Sequence, residues 1–444
     1  MTAAPAGSAP TASLWRHFRR YLTGQTASVA GSSISSMALP VLAVLVLGAT
    51  TGQVALLAFI GQLPPALLAL HAGALADRYP KRPLMIIGDL ASATALATLP
   101  AAAALNALTL THLMIVAAVQ GAAGVLHDAA AISLLPSLVD RSLIQRSNSR
   151  VGALFAVAAT GGSNLGAALT TLLGPARALL GDVLSYVFSI WCTARIQVRE
   201  PHRAPEASPR LRREIGEGLR YVASNHRLAV LTAVNSTTSF ALALLNTLWA
   251  LYLLRDLAMT PTVFGTVLGV GALGAAAGAL AAPALSRRYG PGPMMLGALA
   301  LTPCTQVPLL LAAPGLPWQV AITAALFVQL ACAGAAGTTQ RSIRQIITES
   351  AMQARMQAVS TCLTSAARPA GALLAGILGT STGVRPALAV GAALLAVPLL
   401  VLACSPMRAL RRMPDAPARL AEDESAPAGW EQPPANSDQP APRP

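Results

Sequence analysis

His71-Ala-Gly-Ala-Leu-Ala-Asp77-Arg78-Tyr-Pro-Lys81-Arg82-Pro-Leu-Met85 sets four charges between two long apolar runs, and a second stretch, Ala281-Ala-Pro-Ala-Leu-Ser-Arg287-Arg288-Tyr-Gly-Pro-Gly-Pro-Met-Met295, does much the same later in the chain. A shift of 210 residues pairs Ala74, Leu75, Arg78, Tyr79, Pro83 and Met85 with Ala284, Leu285, Arg288, Tyr289, Pro293 and Met295, all identical. Each stretch is too short and too charged to be buried and joins two segments long enough to cross a bilayer. Over the whole 444 residues, 54% are hydrophobic and only 11% charged, well under the usual share of about 25% for a soluble protein. At about 20 apolar residues per crossing, that stock serves around twelve spans. A net charge of +14 raises nucleic acid as a partner, but aromatic residues are only 4% and no basic face sits on a soluble fold, so nucleic acid is excluded.

The charges fall between spans read at about 21–47, 53–75, 84–105, 110–132, 151–173, 177–196, 228–254, 262–285, 294–312, 317–339, 358–379 and 385–404. Of 31 basic residues, 27 fall on one side of this alternation, from Arg16, Arg19 and Arg20 to Arg408, Arg411 and Arg412. Arg177, Arg255 and Arg385 fall on the other side, and Arg368 lies inside a span. The bias in Lys and Arg puts both termini in the cytoplasm, which demands an even number of crossings. Residues 1–20 lack the apolar core of a cleavable signal, so the first helix is expected to insert and stay.

The longest internal polar stretch, 197–227, splits the spans six and six. In it Leu211, Ile215, Leu219 and Val222 recur at helical spacing among Arg212, Arg213, Glu214, Glu217 and Arg220, which makes either an amphipathic helix on anionic headgroups or a solvated linker helix. The expected organisation is a disordered N-terminus (1–13), a six-helix bundle (14–196), the linker (197–227), a second six-helix bundle (228–404) and a disordered cytoplasmic tail (405–444) rich in Pro, Ala and Arg. Cys192, Cys304, Cys332, Cys362 and Cys404 are too dispersed for a metal or redox motif and are expected to be small core residues.

Gly73-Ala-Leu-Ala-Asp77-Arg78-Tyr-Pro-Lys81-Arg82 resembles the loop between helices 2 and 3 of the major facilitator superfamily, G-x-L-A-D-R-x-G-R-[KR], with Pro80 in place of the second glycine and Lys81 in place of an arginine. Asp89, His127-Asp128, Leu135-Pro136-Ser137-Leu138-Val139, Asn148-Ser149-Arg150 and Asp182-Val-Leu-Ser-Tyr-Val resemble the branch that holds macrolide efflux proteins and enterobactin-type siderophore exporters. The likeness spans about residues 14–404 and implies an all-α membrane protein of twelve transmembrane helices in two six-helix pseudo-repeats, the major facilitator fold. It gives Gly73, Asp77, Arg78, Lys81 and Arg82 the role of the gating loop, in which the acid meets the start of helix 11 and helps hold one of two arrangements. An anion between helix ends suits that role, because a helix N-terminus favours negative charge.

An ionisable group within hydrocarbon costs about 2.5–3.5 kcal/mol, so Asp89, Asp128, Asp182 and Arg368 are candidates for proton coupling. A carboxylate that is hydrated in one arrangement and desolvated in the other binds protons differently in the two. Gln25, Ser28, Ser32 and Ser36 recur every three or four residues on one face of the first span. Because helices 1, 4, 7 and 10 line the cavity of this fold, the resemblance makes those four, with Gln120, Asn235, Thr238, Asn246 and Gln329, candidate cavity residues; polar glue between helices is the competing role for each. So weakly polar a lining suits bulky amphipathic compounds better than sugars.

Two departures bear on antiport. Gly162-Ser163-Asn164-Leu165-Gly166-Ala167 loses the proline and last glycine of the antiporter pattern G-P-x-x-G-G, and Ala117 stands where the superfamily's antiporter arginine would be. No enzyme is expected: the single lysine, Lys81, precedes Arg82 and not the Ser or Thr of a phosphate-binding loop, and Gly379-Thr-Ser381-Thr-Gly383 falls in a turn with no strand before it. The sequence reading is a monomeric exporter of an antibiotic, macrolide or siderophore in the inner (plasma) membrane, taking a small-molecule substrate and protons and needing no cofactor and no metal. Two alternatives stay open: an importer or facilitator of a small metabolite, and a transport-inactive sensor or assembly partner, separable by truncation at residue 410.

Overall fold

Within lipid a backbone has no water to bond and must satisfy its own N–H and C=O groups, so apolar runs of this length become helices. The computed structural model describes residues 10–138, 144–197, 211–348 and 352–413, and among them there is no strand. In chain order the helices are α1 (Pro10–Val41), α2 (Thr51–Arg78), α3 (Lys81–Ala104), α4 (Leu110–Leu138), α5 (Ile144–Leu173), α6 (Pro175–Ala178), α7 (Leu180–Ala194) and α8 (Leu211–Ser224). They continue as α9 (His226–Leu251), α10 (Pro261–Tyr289), α11 (Pro291–Cys304), α12 (Val307–Leu311), α13 (Leu316–Ile347), α14 (Gln353–Ser381), α15 (Val384–Leu394) and α16 (Ala396–Ala403). Most extend past the apolar runs that announce them, since a helix need not end where the hydrocarbon does.

Among the described residues, ten helical stretches are long and apolar enough to cross a membrane. The places of the fifth and sixth expected spans are held by α5 and by α6 with α7. A break at Leu179 leaves α7 only 15 residues long.

The repeat reaches into backbone detail. The same shift of 210 carries the π-helical turn Leu42–Val46 that ends α1 onto Tyr252–Asp256 after α9, and the start of α3 at Lys81 onto the start of α11 at Pro291. It also carries the side-chain cap of α2, Thr50, onto that of α10, Thr260. Between turn and cap, Gly48 has φ 62° and its counterpart Ala258 has φ 49°, a left-handed conformation that glycine adopts freely and alanine rarely.

α1 packs on α5 and α7, α3 on α4 and α7, and α2 on α4; later in the chain α9 packs on α14, α15 and α16, and α13 on α10 and α11. The two sets meet through α2 with α14 and α5 with α10. Gly162 makes the α1–α5 approach possible, because a Cβ there would strike the Ala30 backbone. At the end holding the α1–α2 and α9–α10 turns, one apolar core crosses both sets, joining Met37, Leu42 and Val44 to Leu248, Leu254 and Phe264. At the end holding the termini the cores part, one around Phe18, Met85 and Leu134, the other around Leu231, Met295, Ile343 and Met407. The molecule is therefore joined at its turn end and divided at its terminal end.

Three expectations need correction. Residues 10–13 belong to α1. The tail is not disordered from 405: Pro406–Ala409 form a 3-10 turn, Met407 is buried, and the Gly292 N–H donates to the Leu410 carbonyl at 3.0 Å. Gly292 has no side chain to hold that segment off, and a truncation test belongs after residue 413. The cysteines are not core residues as a group, for among the five only Cys192 is buried. In the linker, α8 sets Val222 in a small apolar cluster with Leu228, Met356 and Val359, and Glu217 pairs with Arg355 at 2.8 Å. That edge of the helix faces α9 and α14, where the sequence suggested headgroups or water.

Candidate substrate cavity

The polar face of α1 borders a cavity with two adjoining lobes of about 310 and 360 Å3. Ser28, Ser32 and Ser36 line both lobes and Gln25 lines one, as their helical spacing predicts. Facing them are Asp89 and Ser92 of α3, Gln120, His127 and Asp128 of α4, Phe155 of α5, and Asp182 and Tyr186 of α7. Lys and Arg are absent from this described lining.

Two of the carboxylates have local partners. Asp182, 1% exposed, accepts hydrogen bonds from Ser35 Oγ and, at 3.0 Å, from Ser185 Oγ. Gly31 permits this arrangement, since a Cβ on α1 at that point would strike Ser185 and Asp182. Asp89, also 1% exposed, meets His127 with Oδ1 at 2.8 Å from Nδ1. The other imidazole nitrogen lies 2.8 Å from Gln25 Nε2. An amide NH2 only donates, so His127 Nε2 accepts and Nδ1 carries the hydrogen shared with Asp89. A chain of three side chains thus links α1, α4 and α3. The second oxygen of Asp89, Oδ2, is buried without a hydrogen-bond partner. Asp128 faces the cavity, exposed, next to this chain. Tyr186 bridges helices, with its hydroxyl 3.4 Å from Gln120 Oε1 and 3.5 Å from Ser32 Oγ.

Other candidates lie elsewhere. Asn235 donates to Thr364 on α14 at 2.8 Å, and Gln329 is buried, accepting from Gln306 at 3.0 Å. Thr238 donates to the Val234 carbonyl one turn back, and Asn246 is exposed. Neither lobe includes them, and for Asn235 and Gln329 helix-to-helix bonding is the role observed. Arg368 is not brought to the acids. On α14, Thr364 and Gly371 face α9 while Gly376 and Gly379 face α2, and at about 100° per residue Arg368 falls between the two directions, exposed.

The charged loop is two residues, Tyr79 and Pro80, between α2 and α3. Gly73 and Asp77 lie in the last turns of α2, Arg78 ends it exposed, and Lys81 opens α3. The Asp77 side chain lies outside the described residues. Arg82 donates to the Ala194 carbonyl and Arg20 to the Arg195 carbonyl at 2.6 Å, so both cap the C-terminus of α7, where the helix dipole favours a cation. At the joined end Arg255, just after α9, donates to the Val44 and Ala49 carbonyls, both at 3.2 Å, tying the second half to the first.

His127, Ser35, Ser185 and Tyr186 are the site residues that sequence reasoning missed. His127 was within reach, since the rule that flags an ionisable group inside a span applies to histidine as it does to aspartate. Ser35 lies on the polar face already recognised.

Two like sets of helices, joined at one end and parted at the other, with a polar cavity lined by helices of the first set, define a secondary transporter of the major facilitator type. The transmembrane secretion effector family of that superfamily matches residues 8–428, and the chain belongs to it. The multidrug efflux pump Tap of Mycobacterium tuberculosis (strain ATCC 25618 / H37Rv) is 27% identical over 373 residues, which are 81% of this chain and 86% of Tap. A bacterial homologue of the iron transporter ferroportin in the inward-facing state has a similar fold, with TM-score 0.69 at 17% identity over 88% of this chain and 98% of that one. Such a homologue in the outward-facing state fits less well, with TM-score 0.59 at 18% identity over 87% and 98%. Family and fold are those of membrane transporters and not of enzymes.

Proposed function

We propose that this chain is a proton-driven exporter of a hydrophobic or amphipathic compound such as an antibiotic, macrolide or siderophore. The observation that carries the reading is the acidic cavity of α1, α3, α4 and α7. The likeness to a multidrug efflux pump supports export. In this reading α5 and the α6–α7 pair complete twelve crossings, residues 14–196 and 228–404 are the two moving bundles, and the protein works as a monomer in the inner (plasma) membrane. With 27 of 31 basic residues on the side of the termini, that side is cytoplasmic, so the parted end faces the cytoplasm and the joined core seals the outside.

Proton coupling belongs to the Gln25–His127–Asp89 chain, with Asp182 as a second acid. A proton added at His127 Nε2 meets the Gln25 amide NH2, a donor facing a donor. Gln25 must then turn or α1 must move, so proton occupancy acts on the helix that lines the cavity. Asp77 and the other loop residues, with Arg368, are assigned to switching between the two arrangements.

The test is accumulation of fluorescent dyes and labelled macrolides in efflux-deficient cells expressing the protein, with and without a protonophore. Export predicts lower accumulation that the protonophore restores to the level of control cells. Raised accumulation would reverse the direction, and export insensitive to the protonophore would remove the proton.

A further inference from the structure

Three guanidinium groups meet where α7 ends. Arg20 of α1 donates to the Arg195 carbonyl at 2.6 Å, and Arg82 of α3 donates to the Ala194 carbonyl. Arg195 itself lies flat on its own helix, with the guanidinium carbon 4.2 Å from the centroid of the Trp191 ring. A helix C-terminus carries about half a negative charge, so three cations gathered on one leave the corner strongly positive. The segments that build it supply no anion: residues 14–24, 78–88 and 186–197 hold seven Lys or Arg residues and no Asp or Glu. Asp89, the first acid along α3, lies two turns deeper, buried and bonded to His127. The corner is also firmly seated, because Ile196 is buried in one apolar cluster with Phe18 and Met85.

The wall below these charges is apolar and faces outward. Trp191 stacks on Phe188 with 5.7 Å between ring centroids, and both are exposed. Leu184 and Val187 of α7 are exposed as well, as is Ile87 on α3, which packs beside α7. Indole rings are favoured at headgroup level, so Trp191 marks the depth at which headgroup gives way to acyl chain. We propose that this corner, between α3 and α7 with Arg20 reaching in from α1, binds a phospholipid of net negative charge from the leaflet on the side of the termini. Arg195 and Arg20 hold its phosphate, Arg82 adds charge behind them, and an acyl chain lies along Trp191, Phe188 and Ile87. Arg20 uses one of its five N–H groups on the Arg195 carbonyl, and the planar fork of Arg195 suits two phosphate oxygens at once. Basic pockets between helices at a membrane face select anionic headgroups, whereas a zwitterionic lipid would bring an ammonium group among three cations. The bound lipid ties α1, α3 and α7 together at the parted end.

Native mass spectrometry of the purified full chain in detergent tests this, with phosphatidylglycerol and phosphatidylethanolamine of identical acyl chains as the two probes. One phosphatidylglycerol should be retained at least about tenfold more tightly than phosphatidylethanolamine. Arg195→Gln should weaken that retention by about fivefold, the weight of one basic residue at an anionic surface. Arg288→Gln, which removes a cation at the end of α10 in the second set, should leave it unchanged. Equal retention of the two lipids, equal loss in the two variants, or displacement by inorganic phosphate at the lipid's own concentration overturns the proposal. The comparison of the two lipids needs only the unmodified protein, so it decides even where Arg195→Gln fails to fold. Trp191 fluorescence, taken as the difference between the chain and Trp191→Phe, then locates the lipid. Phosphatidylglycerol with brominated chains should quench it more than brominated phosphatidylethanolamine, and equal quenching refutes the site. Both measurements are independent of transport, so failure of the exporter reading would leave this site untouched.

Discussion

Under the 210-residue shift, Gln25, Ser28 and Ser36 of α1 occupy the places of Asn235, Thr238 and Asn246 of α9, yet the two sets live in different chemistry. The first borders three carboxylates and an imidazole; in the second, Asn235 is bonded to Thr364 and Thr238 to its own helix. The same shift puts Leu299 where α3 has Asp89, and Leu299 is buried in an apolar cluster. In the first copy this face borders charge, while in the second Asn235 and Thr238 are bonded within the helix packing and Asn246 is exposed.

Exchanging residues between the copies tests this division most severely. Leu299→Asp puts a carboxylate where no histidine receives it and should destabilise the protein by about 2.5–3.5 kcal/mol, seen as reduced yield and a lower melting temperature in detergent. Unchanged melting would mean that the second half tolerates charge as the first does. The reverse exchange, Asp89→Leu, leaves His127 Nδ1 only the longer contact to the Met85 carbonyl, at 3.4 Å, and should cost about 2 kcal/mol and abolish proton-driven export. Adding His127→Leu and Gln25→Leu should recover part of that stability but none of the flux, because removing all three members of the chain leaves none of its buried donors unmet. A triple variant less stable than the single one would refute the pairing.

Smaller effects sharpen the contrast. Arg255→Gln removes a tie across the joined end worth about 1.5 kcal/mol. Labelling of a cysteine introduced at the buried Leu257 by a membrane-impermeant maleimide should then rise by about tenfold if opening of that end governs access. No rise would place the seal in the apolar core alone. Asn235→Ala and Gln329→Ala should each cost about 0.6 kcal/mol in melting measurements and leave export unchanged, as expected of bonds between packed helices. Loss of flux in either would return the second half to the transport chemistry.

Helix positions, their approximate ends, the repeat and the membrane setting were legible in the sequence. The cost of apolar surface and of an unsatisfied backbone is set locally, by composition over about 20 residues. The loop at Asp77–Arg82 and the polar face of Gln25, Ser28, Ser32 and Ser36 were legible for the same reason, since each is a pattern within one segment. Only the tertiary structure decided that Asp89 meets His127, that Ser35 serves Asp182, and that Gln329 turns to Gln306 and away from the cavity. Such meetings depend on how far helices distant in sequence approach and rotate, which close contacts at Gly31 and Gly162 set and no spacing records. Likewise, which end is joined was fixed by the apolar core shared by Leu42 and Leu254, because the two arrangements of a transporter use one sequence and differ by only a few kcal/mol.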